Sequence, residues 1–311
     1  MALLLLLCFS LITVSTIRGL QIGVYWGQCR SEGSLIDTCA TGNYHIVNIA
    51  FLNSFHTARN GPLNLVGHCD PTTGDCTKLS QEIKSCQALG IKVSLSIGGG
   101  AGSYTLNSTH NGDATNDALY LWNNFLGGES SSRPLGDAVL DGIDFVAAWG
   151  IHHQSIEISL PKQCPFPDAN LQPALNTGVF DCVWVMFYNN PSCDYSHGSL
   201  DNLMVSWNKW TQINAGQVFL DLPAAPEVAT SGYIPPDLIR NRVFPELKRN
   251  SKFGGVVLWS REYDKGYSSI INQKVCGSAW SDSASDMAMF PMGSKSGGGQ
   301  GFRTCRGTCV L

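Results

Sequence analysis

The residues best placed to do chemistry lie in one stretch, Leu140-Asp141-Gly142-Ile143-Asp144-Phe145-Val146-Ala147-Ala148. Side chains two apart on an extended strand point the same way, so Asp144, Val146 and Ala148 share a face. That face offers one carboxylate and then two side chains with no proton to give and no lone pair to accept one. Acid–base catalysis needs a titratable group at the reacting atom, and here only Asp144 supplies one. The nearby titratable residues are His152, His153 and Glu157. The histidines fall in a short link and read as a solvated loop. Glu157, between Ile156 and Ile158, reads as a paired carboxylate on a strand, with a rescuing acid as the alternative. The run Gly98-Gly99-Gly100-Ala101-Gly102-Ser103 lacks the Gly-Lys-Ser/Thr ending of a phosphate loop. The close pairs Cys69/Cys76 and Cys305/Cys309 lack the CxxC spacing of a zinc site, so neither metal nor cofactor is expected.

The elements that carry these residues follow from a recurring unit: a short apolar run rich in β-branched residues, then a longer mixed segment. The runs are Gln21 to Gly27, Ile46 to Leu52, Lys92 to Gly98, Gly142 to Ala148, Ser155 to Pro161, Cys182 to Tyr188, Val218 to Pro223 and Gly255 to Ser260, eight in all. Buried strands separated by crossovers argue for a parallel sheet. Eight of them within one domain predict an α/β fold, a closed (β/α)8 TIM barrel, whose catalytic groups sit at the C-terminal ends of the strands. No dinucleotide fingerprint follows the first run, which disfavours an open doubly wound sheet. Helices are predicted over Asn116 to Phe125, Ser199 to Ile213, Pro235 to Lys248 and Gly266 to Ile271. Only Trp149 to Gln154 separate the fourth and fifth runs, too few for a helical crossover. The fourth crossover helix is therefore expected to be missing or replaced by an extended link.

Composition sets the setting. The net charge is −4 and no basic stripe is visible, which argues against a nucleic-acid partner. Residues 1–19 open on five leucines and turn polar at Ser15, Thr16 and Arg18, as a signal peptide does. No other apolar run approaches the length of a membrane span. Secretion, to the extracellular space or a vacuole, is the expected destination. The 12 cysteines suit an oxidising compartment; removal of Cys8 with the leader leaves an odd number. Asn107-Ser108-Thr109 is a glycosylation sequon. Residues 20–277 are expected to form the barrel, and 278–311, rich in Ser and Gly, a flexible tail.

Several stretches together carry a resemblance. They are Val24-Tyr25-Trp26-Gly27-Gln28, Asn48-Ile49-Ala50-Phe51-Leu52-Asn53, Ser94-Leu95-Ser96-Ile97-Gly98-Gly99-Gly100, Tyr120 to Gly128, Cys164-Pro165-Phe166-Pro167-Asp168, Phe187-Tyr188-Asn189-Asn190 and Leu258-Trp259-Ser260. With them the chain resembles the plant class III chitinases, the hevamine-like branch of glycoside hydrolase family 18, over nearly all of Leu20 to Ile271. The family's fourth-strand signature is DxxDxDxE. Asp141 and Asp144 match its first two acids, but Val146 stands at its third acid and Ala148 at its final Glu. The resemblance assigns that Glu the proton for the leaving glycosidic oxygen and the neighbouring Asp the positioning of the substrate N-acetyl group, a substrate-assisted exception to the two-carboxylate scheme. Losing a general acid typically removes about 10²- to 10⁴-fold in rate, so no intact catalytic set is expected.

The resemblance further implies a sugar groove lined by Tyr25, Gln28, Asn64, Gly100, Tyr188 and Trp259, with Met186 where the family has Gln and Cys29 where it usually has Asn. It implies disulfides Cys39–Cys86, Cys69–Cys76 and Cys164–Cys193, leaving Cys29, Cys182, Cys276, Cys305 and Cys309 without a family partner. The function expected is a secreted, non-catalytic chitinase-like protein that binds N-acetylglucosamine or chito-oligosaccharides. The alternatives are a weakly active endochitinase, an inhibitor that partners a microbial glycosidase, and a storage protein.

Overall fold

The computed structural model describes residues 20–55, 63–99, 103–104, 113–146, 164–168 and 172–272. Seven long strands run parallel: β1 (Gln21–Trp26), β2 (Ile46–Leu52), β3 (Lys92–Gly98), β4 (Gly142–Val146), β5 (Cys182–Met186), β6 (Gln217–Pro223) and β7 (Phe253–Trp259). Their order across the sheet is β4-β3-β2-β1-β7-β6-β5. The first strand thus lies between the second and the last, pairing Gly23 with Ile46 on one side and with Val257 on the other. This curled parallel sheet is that of a (β/α)8 barrel. The run Ser155 to Pro161 and the short link Trp149 to Gln154 lie outside the described residues, as do the leader, the sequon and the tail. A two-residue parallel ladder joins Ser54–Phe55 to Ser103–Tyr104.

The barrel is built by the alternation of side chains along each strand. On β6, Val218, Leu220 and Leu222 face the outer shell of helices, whereas Phe219 and Asp221 face inward. On β7, Val256 and Leu258 go out while Val257 and Trp259 go in. The outer layer packs against Leu35, Ile83, Phe125, Trp207 and Leu247 of the helices, all nearly or fully buried. The inner layer is a smaller cluster centred on Tyr25, Ala50, Phe51, Phe219 and Val257, with Val146, Trp184 and Trp259 packed on it.

The helices are α1 (Leu35–Ala40), α2 (Leu79–Ala88), α3 (Asp113–Phe125), α4 (Gln172–Leu175), α5 (Asp201–Trp210), α6 (Pro236–Leu238), α7 (Phe244–Leu247) and α8 (Tyr267–Asn272). Ser34 caps α1, its hydroxyl accepting from the Asp37 amide at 3.1 Å. The helix expected over Pro235 to Lys248 is broken into α6, a π-helical turn over Ile239–Val243 and α7. Pro245 explains the break, because it has no N–H to continue the i→i−4 ladder. Three disulfides among the described residues hold this shell: Cys39–Cys86 ties α1 to α2, Cys69–Cys76 closes a short loop, and Cys164–Cys193 joins the segment before α4 to the loop after β5.

Candidate active site

The two retained acids of the fourth strand do different work. Asp141 precedes β4, at the N-terminal end of the sheet. Its carboxylate accepts from Lys92 Nζ at 2.7 Å, Gln87 Nε2 at 3.0 Å and the Val93 amide at 3.0 Å. Partial burial works against its charge, but these bonds outweigh it and hold the carboxyl below its ordinary range. Asp141 therefore pins β4 to β3 and α2. Asp144 sits three residues further on and points into the barrel. It accepts from Ser96 Oγ at 2.7 Å and from the Tyr25 hydroxyl. Burial pushes it up to about 6, against the two hydrogen bonds that favour its charge. A carboxylate that titrates near neutrality is the kind of group active sites use.

Around it the barrel mouth is polar at its floor and aromatic at its walls. Tyr25 packs against Trp259 with ring centroids 5.4 Å apart, and edge-on to Trp184 at 6.2 Å. Trp259 stacks on Phe51 at 5.8 Å. Burial, followed by the charges of Asp144 and Asp221, keeps Tyr25 protonated well above the usual tyrosine range, and burial with Asp221 does the same for Tyr188. A cavity of about 490 Å³ adjoins these residues inside the barrel, lined among others by Tyr25, Asp144, Val146, Trp184 and Asp221 and reaching Lys92, Asp141 and Asp181 at the N-terminal ends of the strands. Val146 thus presents two methyl groups to the cavity beside Asp144.

The remaining groove residues divide. Tyr25, Tyr188 and Trp259 come together at the mouth. Gln28 is beside them, but its amide nitrogen donates to the carbonyls of Ala50 at 2.7 Å and Asn64 at 2.9 Å. Its donors hold the end of β1 against the following loops. Asn64 pairs with Phe51 through its backbone, and its side-chain oxygen accepts from the Val66 amide. Gly100 and Ala148, like His152, His153 and Glu157, lie outside the described residues. Gly27 is required where β1 ends: at φ +114° a Cβ would stand 2.7 Å from the Ala50 carbonyl oxygen. Beyond it, buried Glu32 accepts from the amides of Gly27 and Cys29 and meets His68 Nε2 at 3.0 Å. Cys29 is half-buried and outside the three disulfides, and burial raises its thiol.

Two residues of the cavity escape a reading of the sequence, Asp221 and Trp184. The signal for Asp221 is a single acid inside the apolar run Val218 to Pro223, where alternation aims it opposite to Leu220 and Leu222.

No family model matches the chain. The acidic endochitinase of Nicotiana tabacum is 55% identical over 270 residues, covering 82% of this chain and 92% of that protein. The chain belongs to the plant class III chitinases of glycoside hydrolase family 18. Among solved structures, a chitinase from Ipomoea carnea is 46% identical with a TM-score of 0.72, covering 81% of this chain and 98% of that one. Solved structures of proteins named for other roles are similar as well. A xylanase–α-amylase inhibitor protein solved with trehalose is 42% identical, with a TM-score of 0.71 over 81% of this chain and 98% of its own. The tamarind chitinase-like lectin is 32% identical, with a TM-score of 0.67 over 82% of this chain and 100% of its own. Among the described residues no helix is long and apolar enough to cross a membrane.

Proposed function

We propose that this class III chitinase relative is a carbohydrate-binding protein without endochitinase activity. It would be exported by its leader and would bind N-acetylglucosamine oligosaccharides at the barrel mouth. The observation that carries this reading is Val146, a side chain with no proton to give, facing the cavity beside Asp144. In sequence the next residue on that face is Ala148, which has none either. Residues suited to binding remain: Trp259, half-buried, offers a ring on which the apolar face of a pyranose stacks, and Tyr188 offers a hydroxyl to fix its orientation. The tamarind relative, named a chitinase-like lectin, supports the same direction.

The test is calorimetric titration with N-acetylglucosamine tetramer, followed by an assay of the same sample for cleavage products. We expect saturable binding in the micromolar to millimolar range, about −8 to −4 kcal/mol, and no products. In Trp259→Ala affinity should drop roughly tenfold or more, because a stacked sugar loses its platform. Products above a heat-killed control would instead favour the endochitinase reading that the names of the relatives support, with Glu157 the first residue to mutate. No binding and no products would favour a glycosidase inhibitor, the role named for the trehalose-bound relative, or a storage role.

A further inference from the structure

Tyr188 lies just beyond the end of β5 and keeps part of its surface exposed. Its direction is set by a seam between two loops. Asn189, directly after it, stands at φ +57°, in the left-handed region. That conformation costs a residue other than glycine about 1–3 kcal/mol and persists only where the surroundings hold it. Here the surroundings are residues 230–232, in the loop that follows β6. The Asn189 amide donates to the Ser231 carbonyl at 3.1 Å, and the Gly232 amide donates to the Tyr195 carbonyl at 3.1 Å. Asn189 Oδ1 accepts from the Thr230 amide at 2.7 Å and from Thr230 Oγ1 at 3.0 Å.

Asp194 closes the seam from inside. It is fully buried. One of its oxygens, Oδ2, accepts both from the Asn190 amide, at 2.8 Å, and from Ser231 Oγ. The other, Oδ1, has no hydrogen-bond partner among the described residues. Leaving a buried polar atom unpaired costs on the order of 1–3 kcal/mol, so general stability is a poor reason for a carboxyl at this position. The loop after β5 is also tied down already, one residue away, by the Cys164–Cys193 disulfide. What Asp194 adds is a link across the seam: it fixes Ser231 of one loop to Asn190 of the other, on the far side of Asn189 from Tyr188.

We propose that Asp194 is a positioning residue for sugar binding: by clamping Ser231 to Asn190 it holds the left-handed turn at Asn189 and presents the Tyr188 hydroxyl to the groove already oriented. This rests on the carbohydrate-binding reading and names the group that orients its polar contact. A preset hydroxyl spares the ordering that binding would otherwise have to supply.

Calorimetric titration of the full-length protein with N-acetylglucosamine tetramer tests this as a double-mutant cycle over Asp194→Ala and Tyr188→Phe. Each single change should weaken binding about two- to tenfold, the scale of one lost hydrogen bond. The double variant should bind within about twofold of the weaker single one, because a ring without its hydroxyl leaves nothing to position. Asp194→Asn keeps an oxygen for both donors and should recover most of the affinity. A role in stability alone would lower the melting temperature and leave the two effects on affinity to multiply. Melting curves verify that each variant is folded at the titration temperature. If Asp194→Ala is not, Ser231→Ala, which removes the bond across the seam, takes its place in the cycle. Effects that multiply, or an Asp194→Ala protein that binds like wild type, overturn Asp194 as a positioning residue and leave the groove as a sugar site. So does a Tyr188→Phe protein of unchanged affinity. A wild-type protein that binds no tetramer overturns the carbohydrate reading and this inference with it.

Discussion

At the scale of single residues, Asp144 makes the stability of the protein depend on pH with a definite sign. Its carboxyl titrates at about 6 in the fold against an ordinary value of 3.8. Below pH 3.8 both folded and unfolded chains hold the proton and the group contributes no difference. Between about pH 4 and 6 the unfolded chain gives it up first, so the native state binds more protons and stability falls as pH rises. The gap corresponds to about 3 kcal/mol at most, fully lost above pH 6. Asp144→Asn should therefore gain on wild type between pH 4 and pH 7, by up to that amount. Urea unfolding of both proteins at the two pH values measures it, and parallel curves would show that Asp144 is not held protonated. The resemblance to the family marks Asp144 and Asp141 as a retained pair. It did not reveal that one braces the bottom of the sheet while the other enters the cavity, because that division depends on where β4 begins. Asp221 and Trp184 were hidden for a different reason. In a strand buried on both faces, an apolar run hides which residues turn inward, and one acid in it has no sequence neighbour to betray its role.

At the scale of elements, the seven strands among the described residues were legible to within a few residues, because buried parallel strands are continuous β-branched runs. The π turn before Pro245 was not, since the apolar period continues across it. Two local devices set the position of the site elements. Arg133 donates to five backbone carbonyls, those of Asn123, Gly128, Leu126, Ala138 and Gly136, at 2.8 to 3.2 Å. It thereby ties the end of α3 to the chain that enters β4. Arg133→Ala should orphan most of these carbonyls and cost roughly 2–4 kcal/mol, whereas Arg133→Lys, lacking the planar fork, should recover only part. Chemical denaturation of the three proteins checks the order. Near β5, Gly232 has φ +93° and a Cβ there would approach the Phe187 carbonyl oxygen and Tyr188 Cα, each at 2.4 Å. Gly232→Ala should cost at least about 1–3 kcal/mol from backbone conformation alone and should weaken tetramer binding by displacing Tyr188. A variant as stable as wild type, with equal affinity, would show that this loop yields without moving Tyr188.

At the scale of the whole molecule, counting strands suggested a barrel, but adjacency in sequence could not place the first strand beside the last. That pairing, β1 with β7, is what curls the sheet, and it is the closure that eight recurring runs in one domain predict. A fold whose first and last strands meet depends on bringing distant segments together, so links that shorten the search of the unfolded chain should matter in proportion to the loop they close. The three disulfides span 47, 29 and 7 residues for Cys39–Cys86, Cys164–Cys193 and Cys69–Cys76. In the chain-entropy picture their contributions are about 4, 3.6 and 2.5 kcal/mol. Replacing each pair by alanine in turn should lower the melting temperature in that order, by roughly 8–16 °C for the first, given about 2–4 °C per kcal/mol in a domain of this size. Scanning calorimetry of the three double variants measures the order directly. The smallest loop giving the largest loss would mean that the bridges act through native packing, chiefly around buried Cys76, and not through the unfolded chain. The predicted order would mean that closure of the β2-containing loop is what the Cys39–Cys86 bridge secures, and with it the register that brings Tyr25 to Asp144.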